Sequence, residues 1–266
     1  MVKVAIITGA SSGIGRSSAI ALSKKGWTIV LFARRLDNLQ ETKSMCSNPS
    51  QCLTISGDVS SEEDVAILFQ ETVNRFGGML SLISSVDAFD TISDRRLDLL
   101  FNNAGTNVDQ IPLEELSFSD IQKVVNVNLI GALLCTREAI MVFKAQSPQG
   151  GRIINNGSIS AYTPRPHSAP YTASKHAILG LTKSTLLDGR KFNITCTQID
   201  VGNARTDMSS DHLDGALQAD GRVVPELMMN ADHVGDAVAY IAELPHEVTV
   251  LTFNIMATGM PFVGRG

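Results

Sequence analysis

Short apolar runs rich in β-branched residues alternate along the chain with longer stretches in which apolar residues recur every three or four positions. A short apolar run is typical of a buried parallel strand, because both of its faces are covered, whereas the longer period is that of an amphipathic helix. The pattern therefore predicts a chain of alternating strands and helices. The predicted strands are residues 4–8, 28–32, 53–56, 96–101, 151–157, 193–199 and 248–255.

The main helices are predicted at residues 61–76, 119–144, 170–189 and 231–244. No linker rich in Pro, Gly or Ser and no repeat divides the sequence. A chain of 266 residues is long for one domain, but α/β folds of this size form single units with a large core. We therefore predict one domain over residues 1–266.

The first predicted strand runs into a glycine-rich turn, Gly9-Ala10-Ser11-Ser12-Gly13-Ile14-Gly15, which a helix follows. Glycines let a phosphate approach the backbone, and the helix N-terminus offers that phosphate N–H groups and a partial positive charge. The spacing is not that of Gly-x-Gly-x-x-Gly. It is not a Walker A loop either, because Ile14 and Arg16 stand where that loop needs glycine and lysine. The turn predicts a phosphate site and excludes an NTPase of that type.

The second predicted strand ends in Ala33-Arg34-Arg35, where a dinucleotide site faces the adenosine ribose. A carboxylate there binds ribose hydroxyls, whereas an arginine pairs with a 2′-phosphate, and no acid stands at these positions. NADP(H) is therefore the predicted cofactor; the alternative is that both arginines are solvated surface residues. Asp58 follows the third strand and is placed to accept a hydrogen bond from the adenine amino group.

Tyr171 and Lys175 follow Pro170, which can open a helix. Residues four apart share a helical face, so the two side chains can act together. An ammonium beside a phenol favours the phenolate, which makes the tyrosine a candidate general acid or base. Ser158 is predicted at the carboxyl end of the fifth strand, the end at which open α/β sheets bind ligands. On an ordinary surface helix the same pair would have no chemical role.

Residues 78–95 interrupt the pattern between a predicted helix and the fourth strand. Without them the chain would read Phe-Gly-Arg-Leu-Asp-Leu-Leu-Phe, a helix-to-strand turn of ordinary length. We interpret them as an insertion: a helical excursion at the edge of the protein, a partner-binding flap or a retained in-frame intron. We assign them no catalytic role.

Charge and cysteine content narrow the choice of partners and compartment. A net charge of -5 and a pI near 5.5 give no basic surface for nucleic acid. The 4 cysteines show neither CxxC nor metal-ligand spacing with the 5 histidines, which favours buried thiols in a reducing compartment and no metal. We expect no presequence and no apolar run long enough to span a membrane. The prediction is a cytoplasmic protein without nucleic-acid or membrane partners.

Four motifs follow one another in order: Thr8-Gly9-x-x-x-Gly13-x-Gly15, Asn102-Asn103-Ala104-Gly105, Ser158 and Tyr171-x-x-x-Lys175. Together they resemble the short-chain dehydrogenase/reductase family, and apart from the insertion the resemblance covers residues 4–208. It implies a Rossmann-type, doubly wound α/β sheet of about seven parallel strands. It also implies hydride transfer between a nicotinamide and a carbonyl or alcohol carbon.

The resemblance further implies a catalytic tetrad of Asn128, Ser158, Tyr171 and Lys175. Ser158 would bind the substrate oxygen, and Tyr171 would give that oxygen a proton. Lys175 would bind the nicotinamide ribose, and Asn128 would interrupt its helix and fix a water that links Lys175 to solvent. Thr206 keeps the position expected to bond the nicotinamide carboxamide. The predicted cofactor-binding residues are Gly9, Ser11, Ser12, Gly13, Ile14, Gly15, Arg34, Arg35, Asp58, Val59, Asn103, Ala104, Gly105, Tyr171, Lys175, Gly202 and Thr206.

The later chain departs from the family pattern. Val201 stands where the family usually has proline, so we expect a less rigid loop there. Residues 203–231 are predicted to form a substrate lid. The polar residues that favour a small polar substrate are Arg165, His167, Asn203 and Arg205.

Two classes of function remain open. One is an NADP(H)-dependent oxidoreductase, and the other is a redox-sensing regulatory protein that binds NADP(H) without turnover. The complete tetrad favours the enzyme, because a sensor has no use for a tuned tyrosine. The apolar faces of the helices at residues 119–146 and 170–189 resemble the subunit contacts of the family and predict a homodimer or homotetramer.

Overall fold

The structure, a computed structural model, describes residues 3–76, 96–206 and 215–263. The predicted insertion at residues 78–95 and part of the predicted lid, residues 207–214, lie outside the described residues.

The described chain alternates strands and helices as the sequence predicts. The strands are β1 Val4–Thr8, β2 Thr28–Ala33, β3 Cys52–Ser56, β4 Leu99–Asn102, β5 Gly151–Asn156, β6 Ile194–Val201, β7 Ala204–Arg205, β8 Ala216–Leu217, β9 Val223–Val224, β10 Met229–Asn230 and β11 Thr252–Ile255. The α-helices are α1 Gly13–Lys24, α2 Leu36–Met45, α3 Glu62–Phe76, α4 Phe118–Val125, α5 Gly131–Ala145, α6 Ala169–Gly189 and α7 Asp232–Glu243.

Seven of these strands form one parallel sheet in the order β11-β6-β5-β4-β1-β2-β3. The order of the strands reverses at β1 and β4, the place at which doubly wound sheets open a crevice for a ligand. The predicted Rossmann-type sheet of seven parallel strands is confirmed. The other four strands form two short pairs, β7 with β10 and β8 with β9, within the region predicted as a lid.

Two apolar layers, one on each face, hold the sheet. Successive strand residues point to opposite faces, so Ile7 packs in one layer and Ile6 in the other. Leu22 of α1 and Val238 of α7 cover the first face, and Phe143 of α5 covers the second. All five side chains are fully buried. Each contributes about 1.5–3 kcal/mol by leaving water.

The long helix predicted at residues 119–144 is two α-helices, α4 and α5, joined by a π-helical turn at Asn126–Ile130. The combined stretch Phe118–Ala145 is long and apolar enough to cross a membrane, so the expectation that no such run exists is wrong. Core helices pass the same test of length and composition, so the finding is weak evidence for a membrane span. Cys135, Ala139 and Phe143 of α5 are buried in the layer against the sheet.

The last strand before the predicted lid continues further than expected. Val201 is the final residue of β6 and pairs with Ile255, so regular strand occupies the position where a less rigid loop was expected. The physical reason is that valine, unlike proline, keeps its backbone N–H and has a β-branched side chain that suits a strand.

Candidate active site

A cavity of about 420 Å³ opens at the carboxyl edge of the sheet. Its walls are the glycine turn after β1, the tips of β2 and β3, the segments that follow β4 and β5, the first turns of α6 and residues 201–206. This volume lies in the range of small-molecule sites. The cavity brings together every predicted cofactor-binding residue except Gly15, and every predicted catalytic residue except Asn128.

The glycine turn brings backbone to the cavity. Gly9 and Gly13 have φ angles of 66° and 51°, in the left-handed region that favours glycine. A Cβ on Gly9 would lie 2.8 Å from the Cα of Ala104. Helix α1 begins here, and the side chain of its N-cap residue, Ser12, makes no capping hydrogen bond within the described chain. The first N–H groups of α1 are therefore left for a ligand, as phosphate binding requires.

Gly15 has a packing role instead. It lies in α1 outside the cavity lining, and a Cβ there would overlap the carbonyl of Gly9 and the side-chain amide of Asn103. The absence of a side chain lets the helix approach the turn closely, which holds the turn at the end of β1.

Two arginines, Arg34 and Arg35, line the cavity beside the glycine turn. Arg35 donates from Nη2 to Ser11 Oγ and Ser12 Oγ, both at 3.2 Å, so its guanidinium lies across the glycine turn. The backbone carbonyl of Arg34 accepts a hydrogen bond from Ser56 Oγ, which ties β2 to β3. A positive charge is thus fixed beside the uncapped start of α1.

Asp58 and Val59, after β3, line the same wall. The Asp58 carboxylate accepts hydrogen bonds at Oδ1 from the N–H and the hydroxyl of Ser60, at 2.9 and 2.7 Å. One carboxylate oxygen of Asp58 is thus already used for hydrogen bonds within its own loop.

The segment Asn103-Ala104-Gly105 joins three strand ends. Asn103 donates from Nδ2 to Thr8 O at 2.9 Å, and its N–H donates to Thr8 Oγ1 at 3.0 Å. Its Oδ1 accepts from Asn156 Nδ2 at 2.9 Å. The Asn103 side chain therefore connects β1, β4 and β5 at the edge of the cavity.

Ser158, Tyr171 and Lys175 face the cavity from the other side. Lys175 is 6% exposed, donates from Nζ to Asn156 O at 2.7 Å, and lies 5.5 Å from the centre of the Tyr171 ring. The predicted i, i+4 pair therefore shares one face of α6. Ser158 Oγ accepts the N–H of Ser160 at 3.1 Å, and a hydroxyl oxygen that accepts from its own turn keeps its proton to donate elsewhere.

Asn128 lies behind the cavity wall. It sits in the π-helical turn, is 3% exposed, and accepts the N–H of Thr106 at 2.8 Å. Its Nδ2 donates to Thr106 O at 3.0 Å and to Ser174 Oγ at 3.2 Å. The residue thus interrupts its helix, as the resemblance implies, and links a cavity-wall loop to α6.

Asp200 is a buried acid that sequence reasoning missed. It lies in β6 with no exposed surface, and its Oδ1 accepts the N–H of Ser158 at 3.1 Å and Gln198 Nε2 at 2.6 Å. Its Oδ2 accepts the hydroxyl of Tyr162 at 3.0 Å. The signal in the sequence is one acid inside the buried strand Ile194–Val201, which contains no other charged residue.

Burial raises the pKa of Asp200, and this effect exceeds the lowering by its hydrogen bonds and by the positive charge of Lys175. Burial and the bond to Asp200 raise the pKa of Tyr162 to about 12. Tyr162 therefore remains a protonated donor to the carboxylate.

A second buried charge cluster joins the predicted lid to the loop before α6. Glu226 is 6% exposed, and its Oε1 accepts a hydrogen bond from Arg165 Nη1 at 2.9 Å. Asn203 and Gln218 donate to the same carboxylate at 2.6 and 2.9 Å. Burial raises the pKa of Glu226, but the hydrogen bonds, that of Arg165 foremost, outweigh burial and hold the pKa at about 2.

This cluster changes the interpretation of the four polar candidates for substrate contact. Arg165 and Asn203 line the cavity but bond each other and Glu226. His167 is exposed with φ 55°, Arg205 is exposed in β7, and neither lines the cavity. The positions were predicted from closeness in sequence, which does not fix side-chain direction.

The cysteines form no part of the cavity lining. All four are buried and free, as predicted. Within the described ranges no group of three or more His, Cys, Asp or Glu side chains could hold a metal ion.

The model of the short chain dehydrogenase family matches residues 3–216 of this chain. A short-chain dehydrogenase/reductase from Aspergillus oryzae is 32% identical over 209 residues, which cover 78% of this chain and 73% of that protein.

Many solved structures share the fold, and two are given as examples. A 3-ketoacyl-(acyl-carrier-protein) reductase from Brucella melitensis, in complex with NADH, has a TM-score of 0.78 at 24% identity, and 96% of this chain and 97% of that chain are covered. An alcohol dehydrogenase from Thermococcus sibiricus, in complex with 5-hydroxy-NADP, has a TM-score of 0.77 at 23% identity, with 98% of each chain covered.

Proposed function

Because the chain belongs to the short-chain dehydrogenase/reductase family, we propose that it is an NADP(H)-dependent enzyme acting on the carbonyl or secondary alcohol carbon of a small polar metabolite. As a member of the family it is an oxidoreductase that uses a nicotinamide cofactor and acts on carbonyl or alcohol groups. One observation carries the finer proposal. The uncapped start of α1, the two arginines, Ser158, Tyr171 and Lys175 all line one cavity.

The choice of NADP(H) rests on Arg34 and Arg35. Of the two solved structures named above, one holds NADH and the other an NADP derivative, so the fold alone does not choose between the two cofactors. Both arginines line the cavity, and Arg35 is held against Ser11 and Ser12. Guanidinium and hydroxyl donors together suit the 2′-phosphate of NADP(H) better than ribose hydroxyls.

The bound nicotinamide would supply or accept the hydride. Ser158 donates a hydrogen bond to the substrate oxygen, and Tyr171 transfers a proton to or from that oxygen. Lys175, buried beside the Tyr171 ring, brings a positive charge to the reacting end of the cavity and would hold the nicotinamide ribose. Asn128 acts through its neighbours, because it holds the backbone of Thr106 and the hydroxyl of Ser174.

A polar substrate is favoured by the side chains left on the cavity wall. Ser160, Ser168, Asn107 and Gln110 line the cavity in addition to the proposed catalytic residues. Residues 203–231 are proposed as the lid over this substrate. The ion pair of Arg165 with Glu226 fixes part of that lid to the loop before α6.

We further propose that the protein is a homodimer or homotetramer assembled through α4, α5 and α6. Phe118, Leu133 and Met141 on the first two helices are 76%, 41% and 52% exposed, and Leu187 on α6 is 63% exposed. Apolar side chains grouped on neighbouring helices are typical of subunit contacts. Light scattering of the purified protein tests this; a monomeric mass would contradict it. The buried free thiols support a reducing compartment such as the cytoplasm.

The activity is tested by mixing the protein with NADPH and a panel of small carbonyl compounds and following the nicotinamide absorbance. We expect turnover with at least one polar ketone or aldehyde, and slower turnover with NADH. Tight NADPH binding with no turnover of any carbonyl or alcohol would instead support the redox-sensing alternative.

A further inference from the structure

The buried acid Asp200 lies at the carboxyl end of β6 and bonds the backbone N–H of Ser158. It does not line the cavity, but it bonds both ends of the turn that carries Ser158. We propose that Asp200 is a positioning residue of the active centre, which fixes the turn that carries Ser158. This assignment rests on the function proposed above.

The positioning role follows from three hydrogen bonds. The N–H of Ser158 and the Nε2 of Gln198 can only donate, and both reach Oδ1 of Asp200, at 3.1 and 2.6 Å. The hydroxyl of Tyr162 reaches Oδ2 at 3.0 Å. The carboxylate therefore holds the first and last residues of the segment 158–162, which includes a 3₁₀ turn, Ile159–Ala161.

The geometry around Gly157 supports the same role. A Cβ on Gly157 would overlap Oδ1 of Asp200, so the backbone before Ser158 passes directly over the carboxylate. The N–H of Gly157 donates to Ile199 O at 2.7 Å, which aligns β5 with β6 at this point. Small errors in the position of a catalytic hydroxyl cost much of the rate, so a turn that holds Ser158 rigidly favours catalysis.

The test replaces Asp200 and measures NADPH-dependent carbonyl reduction together with NADPH binding. Asp200→Ala removes the acceptors of all three hydrogen bonds and should lower kcat/KM for the carbonyl substrate roughly 10²-fold, because the Ser158 hydroxyl is no longer held in place. The dissociation constant of NADPH and the amount of NADPH bound per protein should change little. Asp200→Asn keeps the size and one acceptor oxygen, so it should lose less activity than the alanine variant, and it serves as the second variant if the alanine variant folds poorly.

Tyr162→Phe is the matched control. It removes the hydrogen bond at Oδ2 and leaves the N–H of Ser158 on Oδ1, so we expect a much smaller loss of kcat/KM than in Asp200→Ala. A purely structural role of Asp200 would lower the amount of NADPH bound per protein and leave the KM for the carbonyl substrate unchanged.

Each outcome decides. An active wild type with unchanged kcat/KM in the Asp200 variants, or an equal loss in Tyr162→Phe, would overturn the role of Asp200 and leave the proposed function standing. A wild type without turnover would overturn the proposed function, and the role of Asp200 with it.

Discussion

The cavity has a cofactor half, which contains the glycine turn, Arg34, Arg35 and Asn103, and a substrate half, which contains Ser158, Arg165 and Tyr171. The two halves are held together in different ways. On the cofactor half, the glycine turn and Asn103 are fixed by close backbone approach and by bonds to the main chain of neighbouring strands. On the substrate half, pairs of side chains far apart in sequence make the contacts, such as Arg165 with Glu226 and Tyr162 with Asp200. The first half depends on local motifs, and the second depends on buried charges that need their partners.

This difference has an energetic consequence. Backbone contacts around glycine tolerate no added side chain, but they contain no charge that a change of pH can remove. A buried carboxylate is stable only while its donors remain, and the loss of a partner leaves an uncompensated charge. The substrate half should therefore be the more sensitive half to pH and to the loss of single charged groups.

The largest expected effect separates the chemistry from cofactor binding. Tyr171→Phe removes the proposed proton donor and should lower kcat by about 10²- to 10⁴-fold. The dissociation constant of NADPH should change little, because the phosphate contacts lie in the other half of the cavity. Stopped-flow reduction and fluorescence titration measure the two quantities, and a variant with near wild-type kcat would refute the assigned role.

The next effect tests whether side-chain pairs hold the substrate half. Glu226→Gln leaves the Arg165 charge buried without its counter-ion and should lower the free energy of unfolding by about 3–5 kcal/mol. The double variant Arg165→Met/Glu226→Leu replaces both charges with apolar groups and should lose much less. Urea denaturation of the two variants makes the comparison, and equal losses would contradict a partner-dependent cluster.

The pH dependence of stability follows from the same carboxylate. The folded pKa of Glu226, about 2, lies below the 4.5 of an unperturbed glutamate. Its contribution is therefore complete above the unfolded pKa and is lost as pH falls from about 4.5 towards 2, by roughly 3 kcal/mol in total. Thermal melting from pH 6 to pH 3 should show this loss, and Glu226→Gln should show a flatter curve over the same interval. Parallel curves would count against the assignment.

The smallest effect belongs to the cofactor half. Arg34→Ala should weaken NADPH binding by roughly 10- to 100-fold, the value of one charge-assisted bond to the 2′-phosphate, and should leave NADH binding almost unchanged. Arg35→Ala is the companion variant, because that side chain also bonds Ser11 and Ser12. Equal losses for both cofactors would refute the preference for NADP(H).

The sequence predicts the cofactor half better than the substrate half for a physical reason. Strands, helices and the glycine turn are local patterns, and the seven parallel strands and their order of appearance are as predicted. The i, i+4 pair Tyr171 and Lys175 is equally local, and both residues reach the cavity.

The errors concern side-chain direction and long-range pairing. Arg165 was predicted as a substrate contact, but its guanidinium bonds Glu226, which is 61 residues away in the sequence. A single acid in a strand belongs to no motif, and only the fold brings Asp200 to the backbone N–H of Ser158. Asn128 and Gly15 support the site from outside the cavity lining, a distinction that spacing along the chain cannot make.

The close passage of Gly157 over Asp200 has a consequence for how such sequences diverge. A side chain at position 157 would occupy the space of the Asp200 carboxylate and crowd the Gln198 side chain, so position 157 cannot gain a side chain while these two residues stay as they are. Among descendants of a common ancestor, substitutions at positions 157 and 200 should be correlated. Lineages that acquire a larger residue at 157 should carry a smaller, uncharged residue at 200, and lineages that keep the acid should keep the glycine.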